Sequence, residues 1–280
     1  MKTNYVLRYA CNPHDVRFYD TDRLNEEFRI SLIFVPDEIN FFYSIEDRMI
    51  VGGAMPSNEI LPLGAVNLLG TRYFLRNREM GIVNLGGEGV VKVDDTEYLL
   101  TKKDALFIGS GDKNVEFMSV AADKPAKFYF ISTAAAVSYP DRKVTPSDAV
   151  TVMSGGGDHA NACISYLMIG NERVPTSQLQ MGISVLAKGS VWNNEPVDPH
   201  YHRLESFFIF DLPEGEAVCQ FLGEPSDTRH IWLKGQEGVF IPEWSIHPAV
   251  GTSSFSVVWG KGGMPMDYME IETGKESGLS

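Results

Sequence analysis

Few cysteines, a shortage of positive charge and the absence of any long apolar run set the first limits on this chain of 280 residues. Only Cys11, Cys163 and Cys219 are present; they form no metal-binding spacing and cannot all pair with one another, so they read as reduced core thiols of a cytoplasmic protein. Lys and Arg number 24 against 37 Asp and Glu, a net charge of −13. That deficit excludes a general nucleic-acid surface, where clustered cations must neutralise phosphates. It leaves room for a small anionic substrate, which responds to the local field. No window approaches the ~18 apolar residues of a membrane-spanning helix, and the opening Met1-Lys2-Thr3-Asn4-Tyr5 lacks the apolar run of a signal peptide. Neither nucleic acid nor membrane is therefore an expected partner. Histidine is scarce as well: none lies between His14 and His159, so the first half has little from which to build a metal cage.

What is present reads as a globular chain of short strands. The apolar share is 44%, and 26 Gly with 15 Pro suit many tight turns. One short helix is expected over 22–28, with Thr21 as its cap and acidic residues near its positive end. Strands are expected over 30–35, 39–45, 48–51, 73–75, 81–85, 90–93, 98–100, 105–108, 115–117 and 127–131, where β-branched and aromatic residues are bounded by Pro, Asp and Gly. Asp94-Asp95 is placed as a hairpin turn. Residues 138–162, with Pro140, Pro146 and Ser154-Gly155-Gly156-Gly157-Asp158, break the pattern and read as the boundary, the glycines as a flexible linker lacking the Lys-Ser/Thr of a phosphate loop. A second strand-rich block follows over 181–186, 207–210, 218–222, 229–233, 239–241 and 255–259. Two similar β-rich halves suggest a duplicated barrel: an N-terminal domain over 1–150 without metal, and a metal-binding domain over 151–280.

The chemistry gathers in the second block. Asp198-Pro199-His200-Tyr201-His202-Arg203-Leu204-Glu205 and Gly238 to His247 contain or bracket four of the six histidines, His200, His202, His230 and His247. His and Asp/Glu side chains hold zinc, manganese, iron or nickel, and a catalytic centre needs about three or four of them with one position open. Residues two apart on a strand share a face, so either Asp198 with His200 or His200 with His202 can grip one ion. A carboxylate a few residues later and a histidine from another strand could close the cage. His230, next to Arg229 on a strand, faces the other side if Arg229 points inward. Trp244 reads as a packing residue.

The signature of cupin barrels is a His-x-His-x4-Glu segment followed by a Gly…Pro-x4-His segment; the chain resembles it in the second, Gly238, Pro242 and His247, with Trp244 where many cupins carry glycine. More narrowly, the chain resembles the 5-keto-4-deoxyuronate isomerases, or 4-deoxy-L-threo-5-hexosulose-uronate ketol-isomerases. The strings that carry the likeness run nearly end to end: Asp47 to Gly53 with Met55-Pro56, Tyr73-Phe74-Leu75, Asn84 to Gly87, Asp104-Ala105-Leu106, Tyr139-Pro140, Lys143 to Pro146, Thr228 to Ile231, Trp244 to His247 and Val250-Gly251-Thr252. The resemblance implies an all-β fold of duplicated cupin-type barrels with few short helices, and a cytoplasmic homo-oligomer, often a hexamer. It also implies an aldose-ketose isomerase of pectin and uronate breakdown with one divalent metal, zinc first. Laid on the family motif without gaps, Asp198 takes the place of the first histidine, His200 the second, Glu205 the glutamate and His247 the fourth ligand. The rival register uses His202 instead of Asp198 and needs a bulge to turn Glu205 inward. Glu205 and Arg229 are the expected catalytic residues, Arg229 as a planar fork for the substrate carboxylate.

One further departure concerns Asn161-Ala162-Cys163-Ile164-Ser165-Tyr166, where the family tends to carry basic residues. Two other function classes therefore compete with the isomerase: a non-catalytic cupin that binds sugar acids, and an oxygen-using iron cupin. The related 5-deoxyglucuronate isomerases share the chemistry but not these strings.

Overall fold

A computed structural model describes residues 3–170, 173–193 and 203–263. Its described residues form two β-barrels, each made of a seven-stranded and a four-stranded sheet. In the first, the larger sheet runs in the order Thr3–Arg8, Ile39–Ser44, Ile50–Ala54, Phe128–Ala134, Arg78–Asn84, Ala105–Ile108, Arg142–Val144. The smaller runs Leu61–Pro62, Val115–Ser119, Gly89–Val93, Thr96–Leu100. The second barrel repeats the plan: Val150–Ser154, Cys163–Ile169, Gln180–Leu186, Ser256–Lys261, Glu205–Phe210, Gly238–Ile241 and Arg29–Ile30 form the larger sheet. Trp192–Asn193, Ala249–Gly251, Val218–Glu224 and Asp227–Leu233 form the smaller. This is an all-β, duplicated cupin-type architecture. Among the described residues its α-helices are Pro13–Val16 and Thr21–Phe28, and no helix is long and apolar enough to cross a membrane.

Strand patterning explains each core. In Glu205–Phe210 and Ser256–Lys261, alternate residues Phe207, Ile209, Val257 and Trp259 enter one apolar cluster with Val218, Leu222, Ile231 and Leu233 from the smaller sheet. In the first barrel the corresponding strand Arg78–Asn84 sends Met80 and Ile82 into a cluster with Phe117, Phe128 and Phe130. The first interior is thus lined by hydrocarbon where the second admits polar groups.

Several local expectations change. The expected helix begins at Thr21 itself, and its cap is Asp20, whose carboxylate accepts the Arg23 N–H at 2.8 Å. Of the expected strand over 30–35 only Ile30 is in the sheet, in a strand Arg29–Ile30, because Leu32 takes a left-handed conformation at φ 56° that breaks the ladder. The strand expected to end at Val51 instead runs Ile50–Ala54 through Gly52 and Gly53. A Cβ on Gly52 would stand 2.5 Å from Phe41 Cβ and 2.6 Å from the Phe130 ring, so glycine is needed there for close packing. Residues 73–75 form a bend and turn, with Phe74 and Leu75 buried as anchors. The Asp94-Asp95 turn is found, joining Gly89–Val93 to Thr96–Leu100.

The domain division is also less simple than a break after residue 150. By contacts, one unit comprises Met1–Arg8, Leu32–Val150 and Met168–Met181, and the other Tyr9–Ser31, Thr151–Leu167 and Gly182–Ser280. Chain order misses this because short-range segments are donated across it: Arg29–Ile30 pairs with Gly238–Ile241 of the second barrel. In the first unit, Glu79 accepts the N–H groups of Ser177, Gln178 and Leu179. The triple-glycine segment is a closed turn, since the Asn161 side chain accepts Gly156 N–H at 2.8 Å.

Candidate active site

Glu205 opens its strand, directly opposite Ile241 on one neighbour and Lys261 on the other. It shares a face with Phe207 and Ile209, which belong to the core, so its carboxylate enters the second barrel. Lys261 shares a face with Trp259 and Val257 and enters from the adjacent strand. Lys261 Nζ stands 2.9 Å from Glu205 Oε1, and the residues are only 8% and 1% exposed. A cross-strand pair of opposite charge thus sits inside the barrel, where low effective dielectric strengthens it.

His247 comes from the loop after Gly238–Ile241 and is fully buried. Its ring meets Phe207 edge-on, with centroids 5.7 Å apart and planes at 83°. Phe207 is one same-face step, about 7 Å, from Glu205, so the imidazole and the carboxylate lie along the same inner wall. The loop is held by its backbone. Ser245 N–H donates to Pro242 O, Ile246 N–H to Gly223 O, and Ser245 Oγ accepts Gly223 N–H at 3.0 Å. Gln220 Nε2 donates to the His247 and Pro248 carbonyls at 2.9 and 3.2 Å. These bonds place the imidazole without engaging its ring nitrogens.

Asp198, His200 and His202 lie outside the described residues. Glu205 sits in regular register with both neighbours and faces inward; the two ligand registers differ only in the residues that precede it. An imidazole and a carboxylate are donors of the right kind for zinc, but a centre needs three or more. Among the described residues no group of three His, Cys, Asp or Glu could hold an ion. The donor kinds fit a metal; Lys261, a cation already bound to one of them, does not.

Arg229 is turned toward backbone oxygens. Its guanidinium donates to the carbonyls of Arg17, at 2.8 Å, and of Tyr19. It clamps the turn between the two helices onto the strand Asp227–Leu233, so these two N–H groups of its fork are spent on backbone oxygens. His230 is exposed on the opposite face. Trp244 packs edge-on against Phe28, and its Nε1 donates to Cys11 O at 3.1 Å. In the 161–166 segment, Cys163–Ile169 is a strand on which Ser165 Oγ bonds Ser184 Oγ at 2.8 Å. Lys261 is the residue that sequence reasoning missed. Its signal was a charged residue closing an alternating apolar strand, two positions after an inward tryptophan.

The model of the KduI/IolB family matches residues 36–264. Over 271 residues, 96% of each chain, the sequence is 51% identical to 4-deoxy-L-threo-5-hexosulose-uronate ketol-isomerase of Bacteroides fragilis. It is 43% identical over 275 residues, 98% of each chain, to the enzyme of that name from Formosa agariphila. Among solved structures, an IolB-like protein from Salmonella typhimurium superposes with a TM-score of 0.62 at 13% identity, covering 79% of this chain and 85% of that one. Oxalate decarboxylase of Lactobacillus farciminis gives 0.54 at 8% identity over 79% and 78%. These two likenesses concern the fold. The sequence matches go further, and with them the chain belongs to the KduI/IolB family and is an enzyme of the ketol-isomerase kind.

Proposed function

We propose that this protein converts 4-deoxy-L-threo-5-hexosulose uronate to 3-deoxy-D-glycero-2,5-hexodiulosonate in the breakdown of pectin-type uronates. The observation that carries the reading is identity of 51% across 96% of the chain to an isomerase of that name, joined to a buried carboxylate and imidazole inside the second barrel. The reaction moves a proton from a carbinol carbon to the neighbouring aldehyde carbon and the carbinol hydroxyl proton to the aldehyde oxygen, leaving a ketone beside a primary alcohol. One divalent ion, zinc first, would be held by His247, Glu205, His200 and either Asp198 or His202. Such an ion supplies a Lewis acid for the carbonyl oxygen. The chain supplies the rest. Phe207 and Trp259 wall the site with hydrocarbon and exclude water. Gln220 and Ser245 fix the loop that aims His247. Glu205, when a carboxylate oxygen is free of the cation, is the group placed to take the carbon-bound proton and return it to the adjacent carbon.

A second reading, a sugar-acid-binding cupin without turnover, is favoured by one observation, the Lys261 ammonium on Glu205. Proton NMR of the purified enzyme with freshly generated 4-deoxy-5-ketouronate, with and without added zinc, separates the two. The isomerase reading expects the aldehyde hydrate signal to decay into product and His247→Ala to stop it. Binding without product at every metal loading would reject it. The same reading places the protein in the cytoplasm as a homo-oligomer, six copies being the number the family resemblance implies. A cross-strand row of the second small sheet supports assembly: Trp192 pairs with Val250, Val250 with Cys219 and Cys219 with Trp232, and the tryptophans at its two ends are 36% and 52% exposed.

A further inference from the structure

We propose that Lys261 is a resident cation of this centre, which neutralises Glu205 and holds down the affinity of the site for a divalent metal. The inference rests on the reading of Glu205 and His247 as metal ligands and adds a control that reading does not contain. Three observations carry it. Lys261 and Glu205 are direct cross-strand partners, so the contact is built into the sheet register and not into a mobile surface chain. Nζ is 2.9 Å from Oε1. Both residues are buried, so solvent screens their charges little.

An ion held by Glu205 would stand about 2 Å from a carboxylate oxygen, within a few ångströms of the ammonium. Lys261 must then either remain, opposing the ion across a weakly screened gap, or withdraw from a position to which the strand end directs it. Each course weakens binding. A neutral side chain of similar length removes the opposition and leaves the carboxylate to the metal. The site is therefore one in which an amino group and a divalent ion contend for the same carboxylate.

The test is zinc affinity, measured by competition with a chromophoric chelator on the full chain stripped of metal, for wild type, Lys261→Met, Lys261→Gln, Lys261→Arg and His247→Ala. The two neutral variants are expected to bind zinc roughly tenfold tighter or more, Lys261→Arg to stay near wild type, and His247→Ala to lose the site. If a neutral variant folds poorly without metal, the rise in its melting temperature with zinc gives the same comparison, and that rise should exceed the wild type's. Equal or weaker zinc binding by both neutral variants, with wild-type binding that His247→Ala abolishes, would overturn the proposal and leave the metal centre standing. Zinc binding by none of the five proteins would remove the metal centre and the proposal together, while turnover in chelator would show whether isomerisation survives without it.

Discussion

Removing one member of the Lys261–Glu205 pair should harm the protein more than removing both. Each charge is buried, the two residues being 8% and 1% exposed, so Lys261→Met leaves a carboxylate in the barrel without its ammonium, and Glu205→Leu leaves the ammonium without its carboxylate. Loss of one partner of such a pair costs about 3–5 kcal/mol. That is a large share of the roughly 5–15 kcal/mol that keeps a domain folded, and it corresponds to a fall of about 6–20 °C in melting temperature for a chain of this size. The double variant exchanges the ion pair for hydrocarbon among Phe207, Trp259 and Ile241. It is expected within about 1 kcal/mol of wild type or above it, because the desolvation cost of two ions disappears with their attraction. The assay is urea denaturation of all four proteins in chelator, so that metal linkage does not enter, closed as a thermodynamic cycle. A double variant whose loss equals the sum of the single losses would refute the argument and show that the two side chains act independently.

Further outcomes follow from other contacts. Arg229→Met should lower stability by about 1–3 kcal/mol through loss of its bonds to the Arg17 and Tyr19 carbonyls while leaving KM for the uronate unchanged; a large rise in KM at unchanged stability would return Arg229 to the substrate. Glu79 accepts three backbone N–H groups, and burial, the largest influence, pushes its carboxyl up despite them. Its charged form is thus disfavoured on folding, and stability is lost as pH rises from the unfolded pKa through the folded one; Glu79→Gln should flatten that dependence in pH-resolved melts while loosening the 177–179 turn. Asp37 behaves in the opposite sense. Burial alone would raise it, but the N–H groups of Ser57, Asn58 and Glu59 and the Asn58 amide outweigh burial and bring the carboxyl to about 2. Its contribution is complete above the ordinary carboxylate pKa near 4 and disappears as pH falls through about 2, so a carboxyl carbon titrating at the ordinary value by NMR would contradict the loop geometry. Trp232→Glu should shift the mass measured by light scattering toward smaller species, and an unchanged mass would remove this face from the assembly.

Much of the fold was legible because strand alternation is a local property. Phe207, Ile209, Val257 and Trp259 announce an inner face by spacing alone, and the Asp94-Asp95 turn is found as expected. The failures were local patterns overruled by distant contacts. Tyr73-Phe74-Leu75 has strand composition but serves as a buried turn. Gly52-Gly53 has breaker composition but continues a strand, because Phe41 and Phe130 press against it from neighbouring strands. Arg229 carried a motif position, yet its charge is turned to the carbonyls of residues some two hundred positions away.

By itself, the sequence determined that the chain is all-β and duplicated, that its polar chemistry belongs to the second barrel, and that Glu205 and His247 are its candidate donors. Periodicity and residue type suffice for the first two conclusions, since both are written along one strand at a time, while the choice of Glu205 and His247 rests on the resemblance to the family motif. Only the tertiary structure decided that Lys261 faces Glu205 across two paired strands 56 residues apart in number, that Arg229 clamps a turn, and that Arg29–Ile30 completes the second barrel's sheet. Register between strands depends on the packing of all of them at once, and no stretch of sequence carries it alone.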